Sequence, residues 1–190
     1  MHGFFLGVSR GFAYLGGLVL GALIVMICAS VLGRALADVA HDMVAAGWFP
    51  SVAEAVLEAG IGAVKGDFEL VEAGIAFAIF AFLPLCHITG GHAAVDVFTR
   101  RLPPRADRIL RAITEVVFAA VLLLIAVQLA AGTQSKWRTG QTTFLLQFPL
   151  WWAYGASLLA ASVAALVATY MAVMRVIELW LGRDILPEAA

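Results

Sequence analysis

Charge is what this sequence has least of. Of its 190 residues, 13% are charged and 63% are hydrophobic, and the mean hydropathy is +0.96. A soluble domain carries about 25% charged residues, so the composition excludes an ordinary soluble domain and points to a lipid environment. The formal net charge of -1 lacks the basic excess that a nucleic-acid partner calls for. Cysteine is scarce too: Cys28 and Cys86 are the whole set, and no Cys/His spacing suits a zinc site. There is no phosphate-binding glycine loop, and Ser9, Ser30, Ser157 and Ser162 have no activating neighbour legible in the sequence. The middle of each long apolar run holds no Asp, Glu, Lys or Arg. Such residues mark transport pathways and proton relays inside membranes, and the broken, inverted helix repeats of transporters are also missing. The residues therefore describe an all-α integral membrane chain with no chemistry of its own in view, most simply a subunit of something larger.

What the sequence does have is long apolar runs. Residues 11–34, 68–88, 109–134 and 150–181 read as four transmembrane helices, each able to cover the roughly 20 residues a span needs. The uncharged stretch 11–33 exceeds the about 7–15 residues of a signal-peptide core and runs into Arg34, so it reads as a retained helix. Residues 139–174 are uncharged and too long for one perpendicular span, and Pro149 divides them into a loop or interfacial piece and the last helix. Residues 38–66 are too charged to span and are interrupted by Pro50. Here Ser51-Val52-Ala53-Glu54 fits a capping box, and Leu57, Ile61 and Val64 share a face, as in a helix lying on the lipid surface or one offering a docking surface outside the membrane, the lipid-lying helix being favoured. Residues 91–102 read as a short interfacial helix ended by Leu102-Pro103-Pro104. Gly91 opens it, His92 and Asp96 share a face four residues apart, and Arg100 and Arg101 reach phospholipid phosphates.

Orientation follows from the basic residues. Arg10, Arg100, Arg101, Arg105, Arg108, Arg111, Arg175 and Arg183 fall on one side, against Arg34, Lys65, Lys136 and Arg138 on the other. The positive-inside rule then gives an N-in/C-in chain with the 38–66 segment outside. The two cysteines lie at opposite depths, too far apart to bridge. At the outer ends, a brace between Arg34 and Glu69 or Glu72 is expected, with Arg138 and Gly140 in the outer loop. Beyond Pro149, Trp151, Trp152 and Tyr154 make an aromatic belt at headgroup level. Gly17 and Gly21, and the stripe Ala156, Ala160, Ala164, Ala168 and Ala172, are spacings that let helix backbones approach closely. They serve equally well for packing within the chain or against a partner helix.

Taken together, these pieces resemble the small membrane subunit of tripartite ATP-independent periplasmic (TRAP) transporters, the DctQ-like family. The resemblance lies in Arg34 closing the first helix and in Glu69 and Glu72 opening the second. It extends to Gly91-His92-Ala93-Ala94-Val95-Asp96 before a Leu-Pro turn, and to Arg138-Thr139-Gly140-Gln141-Thr142-Thr143, Phe148-Pro149-Leu150-Trp151 and Tyr154 before the last helix. The resemblance covers most of the chain. It implies a multi-pass protein of the bacterial inner membrane that is not an enzyme and carries no cofactor. Its partners would be a large membrane subunit, which holds the sodium and substrate sites, and a periplasmic solute-binding protein. Phospholipid would be a further partner. His92 and Asp96 would set the cytoplasmic landing helix, and the alanine stripe would face the large subunit. The 38–65 segment is longer than the family pattern leads one to expect. Two other readings compete. A four-helix membrane cytochrome needs paired histidines at matching depths, which His2, His41, His87 and His92 do not offer. A stand-alone small transporter needs intramembrane charge.

Overall fold

The computed structural model describes residues 2–92 and 103–182. These form five helices and no strand: α1 (His2–Ala45), α2 (Pro50–Glu58), α3 (Asp67–Ile88), α4 (Pro104–Thr139) and α5 (Leu150–Leu181). All but α2 are long and apolar enough to cross a membrane, so the expected all-α fold with four spans is the observed one. Asp96, Arg100 and Arg101, and most of the expected 91–102 helix, lie outside the described residues.

Three helices run well past their apolar stretches. The 44 residues of α1 reach about 66 Å at 1.5 Å per residue, against a hydrocarbon core of about 30 Å. Hydropathy marks where the lipid is, not where hydrogen bonding stops. Beyond Arg34 the sequence offers alanines, Leu36, Val39 and Met43, with no proline or glycine until Gly47. The first part of the 38–66 segment is therefore a continuation of α1 rather than a separate piece. The chain turns at Gly47 (φ 72°) and Phe49 (φ 45°), and α2 folds back to pack along α1, where Ala40 and Ala53 are buried. The capping box expected at Ser51 does not form. Pro50 takes the first helical position, with Phe49 at the N-cap and no side-chain cap bond, because proline's fixed φ and missing N–H suit that place.

The spanning helices stand in a row in the order α1, α3, α5, α4, and α1 touches α5 only slightly. α5 is the most enclosed of the four, half of its apolar window being buried. The alanine stripe explains this. Ala164, Ala168 and Ala172 pack on Ala119 and Leu122 of α4, and Ala160 is fully buried as well, while Ala156 is exposed. The stripe is thus used largely inside the chain. The α1–α3 contact uses other small residues than the pair singled out in the sequence. Gly16 lies against Ala81, and Gly74 lies under Leu23. Gly17 and Gly21 are exposed, with open space where a side chain would project.

The row has two ends. At the Asp67 end lie the second half of α1, which packs on α2 and α3, the starts of α3 and α5, and the end of α4. At the His87 end, Ile88, Val167 and Met171 form a small core covered by Phe5, Leu6 and Tyr170, with Phe5 stacked on Tyr170 at 4.6 Å between centroids.

Candidate functional site: polar clusters at the two ends of the row

At the Asp67 end the polar groups are held by backbone close approach. Gly33 lets the 61–64 segment cross directly over α1: a Cβ there would collide with the carbonyl of Gly62. Ser30, one turn earlier and 1% exposed, accepts from the Val64 N–H at 3.1 Å and donates to Asp67 Oδ2 at 2.6 Å. Asp67 opens α3, where a carboxylate meets the positive end of the helix dipole. Arg34 lies 3.8 Å from the same Asp67 oxygen. The brace expected between Arg34 and Glu69 or Glu72 is therefore made to Asp67 instead. Gly66, with φ 75°, turns the chain into α3 so that Asp67, not the next carboxylates, faces α1.

Glu69 has another task. Its carboxylate accepts the backbone N–H groups of Leu145 at 2.6 Å and Leu146 at 2.9 Å, and so ties the α4–α5 loop to α3. That loop is a small hairpin. Thr143 and Phe148 pair at 3.0 Å, Leu150 donates to Gln141 at 3.0 Å, and Thr142 pairs with Pro149. Gly140 ends α4 in the left-handed conformation that favours glycine. Phe144 and Leu145 at the loop tip are exposed, as are Trp48 and Phe49. Trp151 packs on Trp137 at 4.5 Å and near Trp152, and Lys136 stands 5.9 Å over the Tyr154 ring. Arg138 is exposed. Glu72 lines a cavity of about 270 Å³ between α3, α4 and α5, together with Thr143, Phe148, Tyr154 and Ser157. The Ser157 hydroxyl is buried there and has no hydrogen-bond partner among the described residues.

At the His87 end the organising device is the turn after α3. Gly90 has φ 65°; its N–H bonds to the His87 carbonyl at 3.2 Å, and the Gly91 N–H bonds to the Cys86 carbonyl at 2.8 Å. This is the double bond pattern of a glycine-terminated helix. It reverses the chain and lays His92 back against the helix it has just left. His92 Nε2 comes within 3.0 Å of His87 Nδ1, and His92 Nδ1 within 3.7 Å of Cys86 Sγ. The ring stacks on Phe118 of α4 at 5.0 Å. His87, almost fully buried, places Nε2 at 2.7 Å from Glu115 Oε2. Burial, with His87 beside it, holds the His92 imidazole below its usual pKa against a weaker opposing pull from Glu115. Nearby on α4, Arg111 pairs with Asp107 at 2.8 Å, and on α5 Arg175 bonds Glu178 at 2.7 Å.

Sequence reasoning named His92, Gly91, Arg34 and Glu69. It missed Asp67 and Ser30 as a pair, and His87 with Glu115 as a pair. A Ser in an apolar run and a His just inside a span were the signals available. Neither points at its partner without the turns at Gly66 and Gly90.

A family model described as "Tripartite ATP-independent periplasmic transporters, DctQ component" matches residues 23–180. No curated protein and no solved structure matches the chain.

Proposed function

The chain belongs to the DctQ component family of tripartite ATP-independent periplasmic transporters, and on that premise we propose that it braces the large membrane subunit of a sodium-coupled carrier of organic acids. The observation that carries this reading is the build of the row. Both ends are held by part-buried polar contacts, a Ser30–Asp67 hydrogen bond at one and the close approach of His87 to Glu115 at the other, while wide apolar faces of α1 and α4 stay uncovered among the described residues. A stiff slab with free sides suits a fixed support better than a moving part. Packing on α3, α1 leaves Gly17 and Gly21 open, a surface on which a second helix backbone can lie close. The sodium and substrate sites then belong to the large subunit.

In this reading the protein lies in the bacterial inner membrane with both termini in the cytoplasm. The Asp67 end is periplasmic. There α2, the loop tip at Phe144 and Leu145, and the exposed Trp48 and Phe49 form part of the docking face for a solute-binding protein, and Trp151, Trp152 and Tyr154 sit at the headgroups. The deciding experiment is a mild-detergent pull-down of the tagged chain from its native membrane, with mass spectrometry of what accompanies it. A large polytopic protein in stoichiometric amount is the expected result. A chain recovered alone from intact membranes would remove the bracing role.

A further inference from the structure

Between α3 and α4 the row leaves a gap. Among the described residues the two helices make no broad contact. They meet at the His87 end, where His87 approaches Glu115 and Phe118. Toward the Asp67 end they stand on either side of the cavity of about 270 Å³, with α5 as its third wall and with Thr143 and Phe148 of the α4–α5 hairpin across its outer end. Below the hairpin the lining is apolar, with Ala76 and Phe80 from α3, Leu129 from α4 and Ala153 from α5. From Glu72 to Phe80 the slot follows α3 for about 12 Å at 1.5 Å per residue.

Two polar groups on this slot lack a partner among the described residues. Glu72 is exposed at its edge and makes no hydrogen bond or ion pair there. Its neighbour Glu69 is already engaged, by the N–H groups of Leu145 and Leu146. The Ser157 hydroxyl is buried in the wall and is also unpaired. Carboxylates on spanning helices pair with an opposite charge, and buried hydroxyls find an acceptor. Both needs arise at one cavity, and the chain answers neither.

We propose that the cavity holds a single bilayer lipid whose headgroup carries a primary ammonium. The ammonium pairs with Glu72, and one acyl chain descends between α3 and α4 toward Phe80 and Leu129. An ester carbonyl of the lipid is the acceptor that Ser157 lacks. Lys136 stands 5.9 Å over the Tyr154 ring, which lines the cavity, and bonds Gln141 at 2.6 Å. An ammonium has three hydrogens to give, so Lys136 keeps two for the lipid phosphate. A zwitterionic headgroup thus meets one charge of each sign, beside Trp151, Trp152 and Tyr154, residue types that favour headgroup depth. A soluble amine has nothing to fill the apolar slot, and the hairpin stands across the end that faces water. An anionic lipid without an ammonium brings like charge to Glu72. The inference rests on the four spans and not on the bracing role.

The test titrates the full chain, purified in mild detergent and stripped of lipid, with phosphatidylethanolamine, phosphatidylglycerol or dodecylammonium, and reads bound ligand by native mass spectrometry. One phosphatidylethanolamine per chain is expected at about tenfold lower concentration than phosphatidylglycerol, since a hydrogen bond to a charged group is worth a factor of ten or more. Glu72→Gln, at an exposed position, is expected to erase that preference while melting like the wild type. Lys136→Met is expected to weaken both phospholipids and leave dodecylammonium unchanged, which separates a lipid headgroup from a free amine. Ala76→Leu fills the slot and is expected to weaken phosphatidylethanolamine about tenfold. A phosphatidylethanolamine with a photoreactive group midway along its chain is expected to label the peptides that contain Phe80 or Leu129. Equal retention of the two phospholipids by the wild type, or unchanged phosphatidylethanolamine binding in Glu72→Gln or Ala76→Leu, would mean annular lipid only and overturn the proposal. Dodecylammonium binding as tightly as phosphatidylethanolamine, with no effect of Lys136→Met on either, would overturn the lipid as occupant.

Discussion

Ser30 sits in the wall of α1 with one hydroxyl serving two partners: it donates to Asp67 and accepts from the Val64 N–H. Replacing it by alanine removes a buried side chain that holds the α2–α3 segment against α1. It also takes one partner from the Val64 N–H and one from the Asp67 carboxylate, which keeps the Phe68 N–H at 2.8 Å, at a part-buried site. Losing a hydrogen bond of this kind costs about 0.5–1.5 kcal/mol. Ser30→Ala is therefore expected to lower the unfolding free energy of the detergent-solubilised chain by that much, measured by denaturant titration. Arg34→Ala is expected to cost far less, because Arg34 is 54% exposed and its contact with Asp67 is 3.8 Å long. This ordering reverses the weight that the sequence suggests. An arginine at a helix end followed by two glutamates reads as an ion-pair brace, while a serine among apolar residues reads as filler. The small hydroxyl prevails because Gly33 lets the backbone at Gly62 cross α1 at a distance only glycine permits, and hydropathy carries no trace of such a crossing.

At the scale of helices, the four spans were legible because apolar length is a property of a single segment. What lay beyond a single segment was not. The alanine stripe of α5 announces close packing, yet the period is the same whether the facing helix belongs to this chain or another. The answer depended on α4, whose Ala119 and Leu122 offer a matching flat surface. Ala168→Leu places a branched side chain where the wild-type residue has no exposure. Overpacking of this kind costs about 1–3 kcal/mol, and the loss should appear as early separation of α4 from α5. Hydrogen exchange along α4 reads it: faster exchange near Ala119 is expected in Ala168→Leu. The same change at Ala156, on the exposed stretch of the stripe, is expected to leave exchange unaltered. If both variants behave alike, the contact between α4 and α5 is not what the stripe is for. The ends of α1 were missed for a complementary reason. A helix in water beyond the membrane has no apolar signature, only the absence of a breaker, and α1 continues until Gly47 supplies one.

For the molecule as a whole, the question is which surfaces are finished. In the row α1, α3, α5, α4 the broad contacts join successive helices, while α1 reaches α5 at Phe5 and Tyr170 and α3 reaches α4 at His87 and Glu115. α1 uses Gly16 toward α3 and keeps Gly17 and Gly21 turned away from it, in open space. Within this chain, bulk at those two positions touches nothing, and substitutions of that kind usually stay within about 0.5 kcal/mol. A helix from another subunit packed on that face would be pushed off by two leucines, since the close approach that glycines allow is lost. Gly17→Leu with Gly21→Leu therefore separates folding from assembly. The double variant is expected to reach the membrane and unfold at the wild-type midpoint, yet to recover markedly less of the large subunit in a pull-down. If recovery is unchanged, α1 meets lipid there, and the apolar face of α4, with Val116, Val117, Val121 and Leu124 exposed, becomes the surface on which the large subunit must be held.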